Sequence, residues 1–387
     1  MLSSRRKFLR AAGASVLGAP ALLRAEPRGK VRMGVVGGGF GTSFQWHEHP
    51  DCEVVAVSDL RADRRDRLSS VYRCSRTYNE LHELIQDKDV EAVAVFTPAP
   101  DHVAHAVVAM KAGKHVISAV PAAMNLEECE LLLDTVKKTG RIYMMAETGY
   151  YHPEIITCRQ WNKEGKFGTI FYSEAEYFHD LGGRRAKQAN LMYDPDGKHT
   201  WRYGFPPLRY ITHCSGPVVS VIGERLSDVA ALGWGEDHET LRDNVYGNRF
   251  VNSVALFKTS GGNSSRICVH WSIALGGAER ASFYGTEMSF QDPMPGGQAA
   301  MVGRPEKMEP WQRETHWETL PEPLRRPTGH KGSHTFLTHE FVRAVIEQRW
   351  PAVNVYEALA FTAPGIIADR SAREGGKWMK VPDYGRA

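Results

Sequence analysis

The sequence lacks the features that mark several classes of protein. Its formal net charge is only +3 over 387 residues, so no excess of one sign is present to attract a nucleic acid. No apolar run reaches the length of a bilayer-spanning helix. There is also no internal repeat and no low-complexity tract. We therefore expect no nucleic-acid partner and, for the mature chain, no stable membrane association.

Paired cysteines and metal-binding spacings are missing as well. The chain has no C-x-x-C pair and no zinc-like arrangement of cysteines. His47 and His49 in "WHEHP" do not share a helical face, so we predict no metal site there. Most cysteines are expected to be small buried hydrophobic residues, although export would permit disulfides. The six are Cys52, Cys74, Cys129, Cys158, Cys214 and Cys268.

The N-terminus has the composition of an export signal. Arg5 and Arg6 lie in "SSRRKFLR", and a weakly apolar stretch follows from Ala11 to Leu23. The pattern S-R-R-x-F-L resembles a twin-arginine (Tat) signal, whose substrates cross the membrane folded. We expect residues 1–25 to be this signal and the mature protein to be periplasmic, with any cofactor loaded before export. The alternative is a basic tail with no targeting role.

The remaining chain divides into two patterns. From about residue 30 to 148, apolar strands alternate with helices, which predicts a parallel sheet with right-handed crossovers. From 149 to 387, strand-like runs joined at glycine turns predict a mainly antiparallel sheet, and two helices close the chain and pack back on the first domain. Residues 291–332 are interpreted as a long surface excursion. The predicted fold class is α/β, with an N-terminal Rossmann domain and a C-terminal α+β domain.

A glycine-rich loop follows the first predicted strand and precedes a helix-like stretch. Such a loop lets backbone N–H groups approach a pyrophosphate at a helix N-terminus. Asp59 ends the next strand, about 20 residues on, where an acid accepts hydrogen bonds from ribose hydroxyls. Asp59 favours NAD, whereas Arg61 would suit NADP, and a fold that has lost its nucleotide is the third possibility. The loop residues predicted to bind the cofactor are Gly37, Gly39, Phe40, Gly41 and Thr42, the last standing where the fingerprint has glycine.

Two longer segments resemble the Gfo/Idh/MocA oxidoreductases. They are "TPAPDHVAHAVVAMKAGKHV" and "RASFYGTEMSF". The resemblance implies a Rossmann domain followed by an open sheet often used for oligomerisation, and it adds Thr97, Pro98 and His102 to the expected NAD site. Most members carry Glu-Lys-Pro where this chain has Ala119-Val120-Pro121, and that lysine contacts substrate and nicotinamide. A plain alcohol dehydrogenase is therefore disfavoured.

Further segments resemble the NAD-dependent glycosidases typified by bacterial α-N-acetylgalactosaminidases. These are "MMAETGYY", "EAEYFHDL" and "RYITHCSGPVVSVIG". The resemblance implies that Glu147 lies near nicotinamide and sugar. It also implies that four side chains line the reacting face, with His213 matching the catalytic histidine of the wider family. The four are Tyr177, His179, Tyr210 and His213.

The spacing of these four residues agrees with a shared site. Tyr177 and His179 are two apart in a predicted strand that presents Phe171, Ser173 and Ala175 on the same face. Tyr210 and His213 are three apart, hence neighbours on one helical turn. The competing interpretation is an aromatic cluster packed beneath the sheet.

The chemistry that the resemblance implies is hydrolysis without net oxidation. NAD takes hydride from C3 of a sugar while His213 removes the hydroxyl proton, and Tyr177 or His179 then removes the C2 proton so that the leaving group departs from C1. Water adds and the hydride returns, so one tightly held NAD serves every turnover. The expected partners are a small glycoside, of broad specificity, and a second copy of the chain in a homo-oligomer.

Other functions remain open from the sequence. One is a periplasmic sugar oxidoreductase with two coupled substrates, similar to the glucose–fructose oxidoreductases. Another is a sugar-binding protein without catalysis. Further acids at Asp194, Asp196, Glu236 and Asp237 bind sugar hydroxyls or simply lie in solvated loops.

Overall fold

The N-terminal part of the chain forms a parallel six-stranded sheet in the order β3-β2-β1-β4-β5-β6. The computed structural model describes residues 29–181, 191–274, 277–294, 297 and 299–387, so the predicted signal at 1–25 lies outside them. The order reverses beside β1, which creates the crevice where such sheets bind ligands. The strands are β1 (Val31–Val36), β2 (Cys52–Ser58), β3 (Thr77–Tyr78), β4 (Ala92–Val95), β5 (His115–Ser118) and β6 (Tyr143–Met145).

Helices cover both faces of this sheet, and for that reason its central strands are continuously apolar. All four residues of β4 are buried, as a strand enclosed on both sides requires. The helices of this part are α1 (Ala62–Tyr72), α2 (Leu81–Leu84), α3 (His102–Lys111) and α4 (Leu126–Thr139).

The second sheet has nine strands in the order β14-β13-β12-β11-β7-β10-β9-β8-β15. Among the described strands of this sheet, only the β10–β7 pair is parallel, so the predicted mainly antiparallel arrangement and the α/β class are confirmed. The strands are β7 (Ile170–Phe178), β8 (Leu226–Trp234), β9 (Asn252–Thr259), β10 (Ser264–His270), β11 (Ala278–Gly285), β12 (Ser289–Gln291), β13 (Met301–Arg304), β14 (Lys307–Pro310) and β15 (Met379–Lys380).

In the described part of the chain, four further α-helices follow β6. Of the two closing helices, α7 packs on the parallel sheet, where Leu337 and Phe341 share a buried cluster with Met33 of β1. This crossing ties the end of the chain to the first domain. The helices are α5 (Pro153–Lys163), α6 (Thr212–Ile222), α7 (Ser333–Glu347) and α8 (Val355–Arg373).

Two local predictions were wrong. The stretch after the glycine-rich loop forms only short 3₁₀ turns, Gly41–Ser43 and Trp46–Glu48, instead of a helix. Phe44 and Trp46 are both fully buried beneath α7, and inserting two large rings two residues apart is incompatible with a single helical face. The segment 291–332 also contains a hairpin, because β13 and β14 extend the second sheet.

Several smaller expectations were also tested. All six cysteines are free and buried, as predicted for small hydrophobic residues. Phe171, at the start of β7, is half exposed, so the buried part of the face that it shares with Ser173 and Ala175 begins at Ser173. Among the described helices, none combines the length and apolar character needed to cross a membrane.

Candidate active site

A cavity of about 950 Å³ joins the glycine-rich loop to the inner face of the second sheet. It therefore brings together residues that are far apart in the sequence. One end is lined by seven of the residues predicted to bind a cofactor: Gly37, Gly39, Phe40, Asp59, Thr97, Pro98 and His102. The other end is lined by the four predicted catalytic side chains, Tyr177, His179, Tyr210 and His213.

The glycine-rich loop is held open toward the cavity by its backbone and by Asp59. Gly37 adopts a φ of 98°, and a Cβ there would collide with the carbonyl of Phe96. The Gly38 N–H donates to Oδ2 of Asp59 at 2.7 Å, and the Arg61 N–H donates to Oδ1 at 2.8 Å. The carboxylate is thus fixed at the end of β2, where it fits the ribose of a dinucleotide whose diphosphate rests on the loop.

Three predicted cofactor residues do not line the cavity. Gly41 is buried against Val35 and Phe96, and neither it nor Thr42 lines the cavity. Glu147 is fully buried beneath His213. Gly41 and Glu147 therefore shape the site from behind.

His102 lines the cavity but also braces its wall. It is only 2% exposed, and its two ring nitrogens lie 2.8 Å and 2.9 Å from the carbonyl oxygens of Pro121 and Thr97. The ring therefore ties the loop after β4 to the segment after β5. Burial lowers the pKa of His102, and the two carbonyl oxygens oppose that shift because they favour the protonated ring.

At the other end of the cavity, two carboxylates contact the imidazole of His213. Its Nδ1 lies 3.0 Å from Oε1 of Glu147 and 3.3 Å from Oε1 of Glu279. Burial alone would lower the pKa of His213, but the two carboxylates raise it well above the ordinary value. With Nδ1 committed to the carboxylates, the opposite nitrogen is the one free to serve the cavity.

Glu147 fits behind His213 because α6 carries a glycine where the two approach. A Cβ on Gly216 would lie 2.8 Å from Cγ of Glu147 and 3.3 Å from the Phe361 ring. The carboxylate also accepts a hydrogen bond of 2.8 Å from the Gly149 N–H. The glycine of "HCSGP" therefore has a packing role at the site.

Glu279 was missed by sequence reasoning. It lies opposite Tyr177 in the β11–β7 ladder, and its carboxylate is also 3.6 Å from Nε2 of His152. Although burial opposes ionisation, His152 and His213 hold the pKa of Glu279 well below its ordinary value. No motif marks this glutamate in "GGAERASFYG", and only strand pairing reveals its place.

Glu147, Glu279 and His213 also have ligand atoms within 4.8 Å of one another, a spacing that a metal ion would accept. Both carboxylates approach the single nitrogen Nδ1. A protonated imidazole satisfies them there without a metal, so we interpret the group as an ion-paired cluster.

Tyr177 joins the other aromatic residues of the site. Its hydroxyl lies 3.0 Å from Nδ1 of His179, and its ring lies 4.6 Å from the His213 ring and 6.0 Å from Tyr210. Burial, Tyr210 and Glu279 raise the pKa of Tyr177 well above its ordinary value. Burial and Arg202 lower the pKa of His179 to about 4. Both side chains are therefore neutral at neutral pH.

The additional acids do not form a catalytic pair. Asp194 lines the cavity, but its Oδ1 accepts hydrogen bonds of 2.9 Å and 2.8 Å from the N–H groups of Asp196 and Lys198. Glu236 pairs with Arg249 outside the cavity. The solvated-turn interpretation therefore suits these acids better than sugar binding.

Two family models match the chain. Residues 31–147 match the oxidoreductase family with an NAD-binding Rossmann fold, Gfo/Idh/MocA, and residues 307–387 match the glycosyl hydrolase 109 C-terminal domain. The first domain is thus similar to the Gfo/Idh/MocA oxidoreductase family. The last segment is similar to the glycosyl hydrolase 109 C-terminal domain.

Curated relatives of this chain are named glycosyl hydrolase family 109 proteins. A glycosyl hydrolase family 109 protein of Solibacter usitatus is 26% identical over 99% of this chain and 97% of the relative. One from Shewanella baltica is 30% identical over 54% of this chain and 46% of the relative.

Solved structures share the fold at low identity. An oxidoreductase domain protein from Kribbella flavida has a TM-score of 0.75 at 20% identity. A levoglucosan dehydrogenase in complex with NADH and L-sorbose has a TM-score of 0.75 at 17% identity. Both comparisons cover 92% of this chain and 100% of the other.

Proposed function

We propose that this enzyme is an NAD-dependent glycoside hydrolase that oxidises its sugar at C3 only transiently. The observation that carries the proposal is the placement of Glu147 and Glu279. Ordinary glycosidases need two carboxylates that flank the glycosidic bond, with NAD-dependent enzymes as an exception. Here the buried carboxylate of Glu147 and the half-buried carboxylate of Glu279 both lie at Nδ1 of His213 instead, within a site that adjoins a dinucleotide-binding loop.

The glycine-rich loop and Asp59 would hold NAD, which would supply a reversible hydride acceptor for C3 of the sugar. The chain's own contribution is proton transfer. With its Nε2 unprotonated, His213 accepts the C3 hydroxyl proton, and the two carboxylates stabilise the imidazolium that results. This imidazolium then donates a hydrogen bond to the new C3 carbonyl oxygen, which makes the neighbouring C2 proton more acidic.

The bond cleavage follows from that acidity. A second base takes the C2 proton, and the electron pair forms the C1–C2 double bond. The C1–O bond breaks, so that the leaving group departs as an oxyanion that solvent protonates. Water then adds at C1 and C2 and the steps reverse. Tyr177 and His179 are the candidates for the second base that the sequence offers. No nucleophile attacks C1 from a fixed face, which supports acceptance of either anomer.

Such a cycle suits an exported enzyme, and we extend the proposal to location. A single captive NAD needs no soluble supply, so the twin arginines and the glycine-rich loop together support folded export to the periplasm. The twin arginines belong to residues 1–25, which lie outside the described residues.

The test uses protein purified without added nucleotide. Extracts of the denatured protein are analysed for NAD, and the intact protein is given p-nitrophenyl α- and β-glycosides in deuterated water. We expect bound NAD, hydrolysis and deuterium at C2 of the product. Hydrolysis at full rate in nucleotide-free protein would refute the proposal. A keto-sugar or lactone that accumulates as a second sugar is reduced would instead identify a coupled oxidoreductase.

A further inference from the structure

A histidine that the sequence analysis did not single out faces the same cavity. His330 lies in the loop between Gly329 and Gly332, and it lines the cavity with His213. The backbone there is strained, because His330 and Lys331 have φ values of 50° and 56° and Gly332 follows at 99°. Consecutive left-handed residues that are not glycine persist only where the surroundings hold them, and such strain concentrates at functional sites.

The next residue in this loop anchors it to the buried charges beneath the site. Lys331 forms an ion pair with Glu154, and its Nζ donates a hydrogen bond of 2.8 Å to the carbonyl oxygen of Glu279. The two neighbours therefore point to different environments, with Lys331 directed into the network and His330 into the cavity. The anchoring accounts for the strained conformation.

A chain of hydrogen bonds fixes the tautomer of His330. Nδ1 of His334 lies 3.0 Å from the carbonyl oxygen of Ser43, which can only accept, so this nitrogen carries the proton. Nε2 of a neutral His334 is then an acceptor, and it lies 2.9 Å from Nδ1 of His330. Nδ1 of His330 must therefore donate, which leaves the lone pair on Nε2 of His330.

Both rings are neutral under ordinary conditions. Burial lowers the pKa of His330, an effect that Glu279 opposes and His213 reinforces, while Glu147 also opposes it. Burial and His330 lower the pKa of His334 to about 4. In the cavity, the pKa of His330 is thus lowered whereas the pKa of His213 is raised. Opposite shifts of this kind separate an acid from a base.

The ring of His330 is also held in place by packing. Its centroid lies 5.6 Å from Phe40 of the glycine-rich loop and 4.9 Å from His334, which stacks on Phe44 at 4.5 Å. A Cβ on Gly329 would lie 2.6 Å from Cε1 of His334, so the glycine makes this close approach possible.

We propose that His330 is the base that removes the C2 proton in the cycle described above. The inference rests on the proposed function and supplies the second base that it needs. Tyr177 is a neutral phenol and His179 uses Nδ1 to contact it, whereas His330 presents an unshared electron pair. In this step the C2–H bond breaks and the proton binds Nε2 of His330, while His213 holds the C3 oxygen. The electron pair forms the C1–C2 double bond, and the C1–O bond breaks with its electrons on the departing oxygen.

The two half-reactions can be measured separately with the protein as purified, carrying its NAD. His330→Gln is compared with His238→Gln. His238 lies outside the cavity and is hydrogen-bonded to Thr240. One readout is the near-ultraviolet absorbance of reduced nicotinamide after mixing with p-nitrophenyl glycosides. The other is deuterium exchange at C2. We expect His330→Gln to reduce its NAD normally, while exchange and hydrolysis fall by about 10²-fold or more.

A second variant distinguishes loss of the proposed base from a general loss of loop structure. His334→Phe preserves the stacking on Phe44 but removes the acceptor that fixes the tautomer of His330, so we expect a smaller loss confined to C2 exchange. Normal exchange in His330→Gln would overturn the inference, and so would an equal loss of both half-reactions. If the wild-type protein neither reduces its NAD nor hydrolyses any glycoside, the proposed function fails instead.

Discussion

Glu279 on β11 lies directly opposite Tyr177 on β7, and its carboxylate reaches Nδ1 of His213 at 3.3 Å. With Glu147 on the same nitrogen at 3.0 Å, this makes a buried imidazole with two carboxylate partners. The arrangement strengthens His213 as a proton acceptor and leaves its charge dependent on both acids. Four predictions follow from this site, the cofactor loop and the outer sheet face.

The pH dependence of activity should report the pKa of His213. The pKa of His213 is raised, and the ring must be unprotonated to accept the hydroxyl proton. We therefore expect an acidic limb in the pH profile, in which kcat/KM rises with pH and the midpoint lies above the ordinary pKa of histidine. Glu279→Gln removes one carboxylate, so the limb should move to lower pH by about 1–3 units. Glu174→Gln, on the other face of the same sheet, is the control, and an unmoved limb in Glu279→Gln would contradict the prediction.

Gly216→Ala should disturb the site through packing alone. The added methyl group would press on Cγ of Glu147 and on the Phe361 ring, so we expect a loss of about 1–3 kcal/mol in the free energy of unfolding and a marked loss of turnover. Urea denaturation and glycoside hydrolysis measure the two effects. Ser220→Ala on the same helix should alter neither by much, and wild-type turnover in Gly216→Ala would exclude the packing role.

Asp59→Ala should weaken retention of the cofactor. The substitution leaves the Gly38 and Arg61 N–H groups without their acceptor and removes the acid that faces the ribose, so we expect bound NAD to dissociate at least about 10-fold more readily. Bound nucleotide after gel filtration is the measurement. Asp63→Ala, which removes only the exposed partner of Arg61, is the matched control and should retain NAD.

A homo-oligomer should form through the outer face of the second sheet. Leu232, Trp234 and Leu256 lie on this face of β8 and β9 and are 59%, 64% and 51% exposed, an apolar surface suited to a second copy. Light scattering should give a multiple of the chain mass, and combining Trp234→Ser with Leu256→Glu should lower it. Val245→Ser, at a loop position 87% exposed, should not, whereas a monomeric wild-type protein would refute the prediction.

Local patterns were sufficient for the two-sheet architecture but not for every segment. Apolar runs alternating with helices predicted the parallel sheet because a buried strand such as β4 must be apolar on both faces. The helix expected after Gly41 did not form, since Phe44 and Trp46 are drawn into a core completed by Phe341 nearly 300 residues later. A partner so distant leaves no trace in a short window of sequence.

By itself, the sequence determined the class of fold, the cofactor loop and the positions of Tyr177, His179, Tyr210 and His213, because each depends on short spacings or on an extended resemblance. Only the tertiary structure decided what surrounds His213. Glu279 and His330 come from different strands and loops that meet there, and their charge and tautomer are set by neighbours such as His152 and His334. Protonation depends on distances across the fold, which no local pattern encodes.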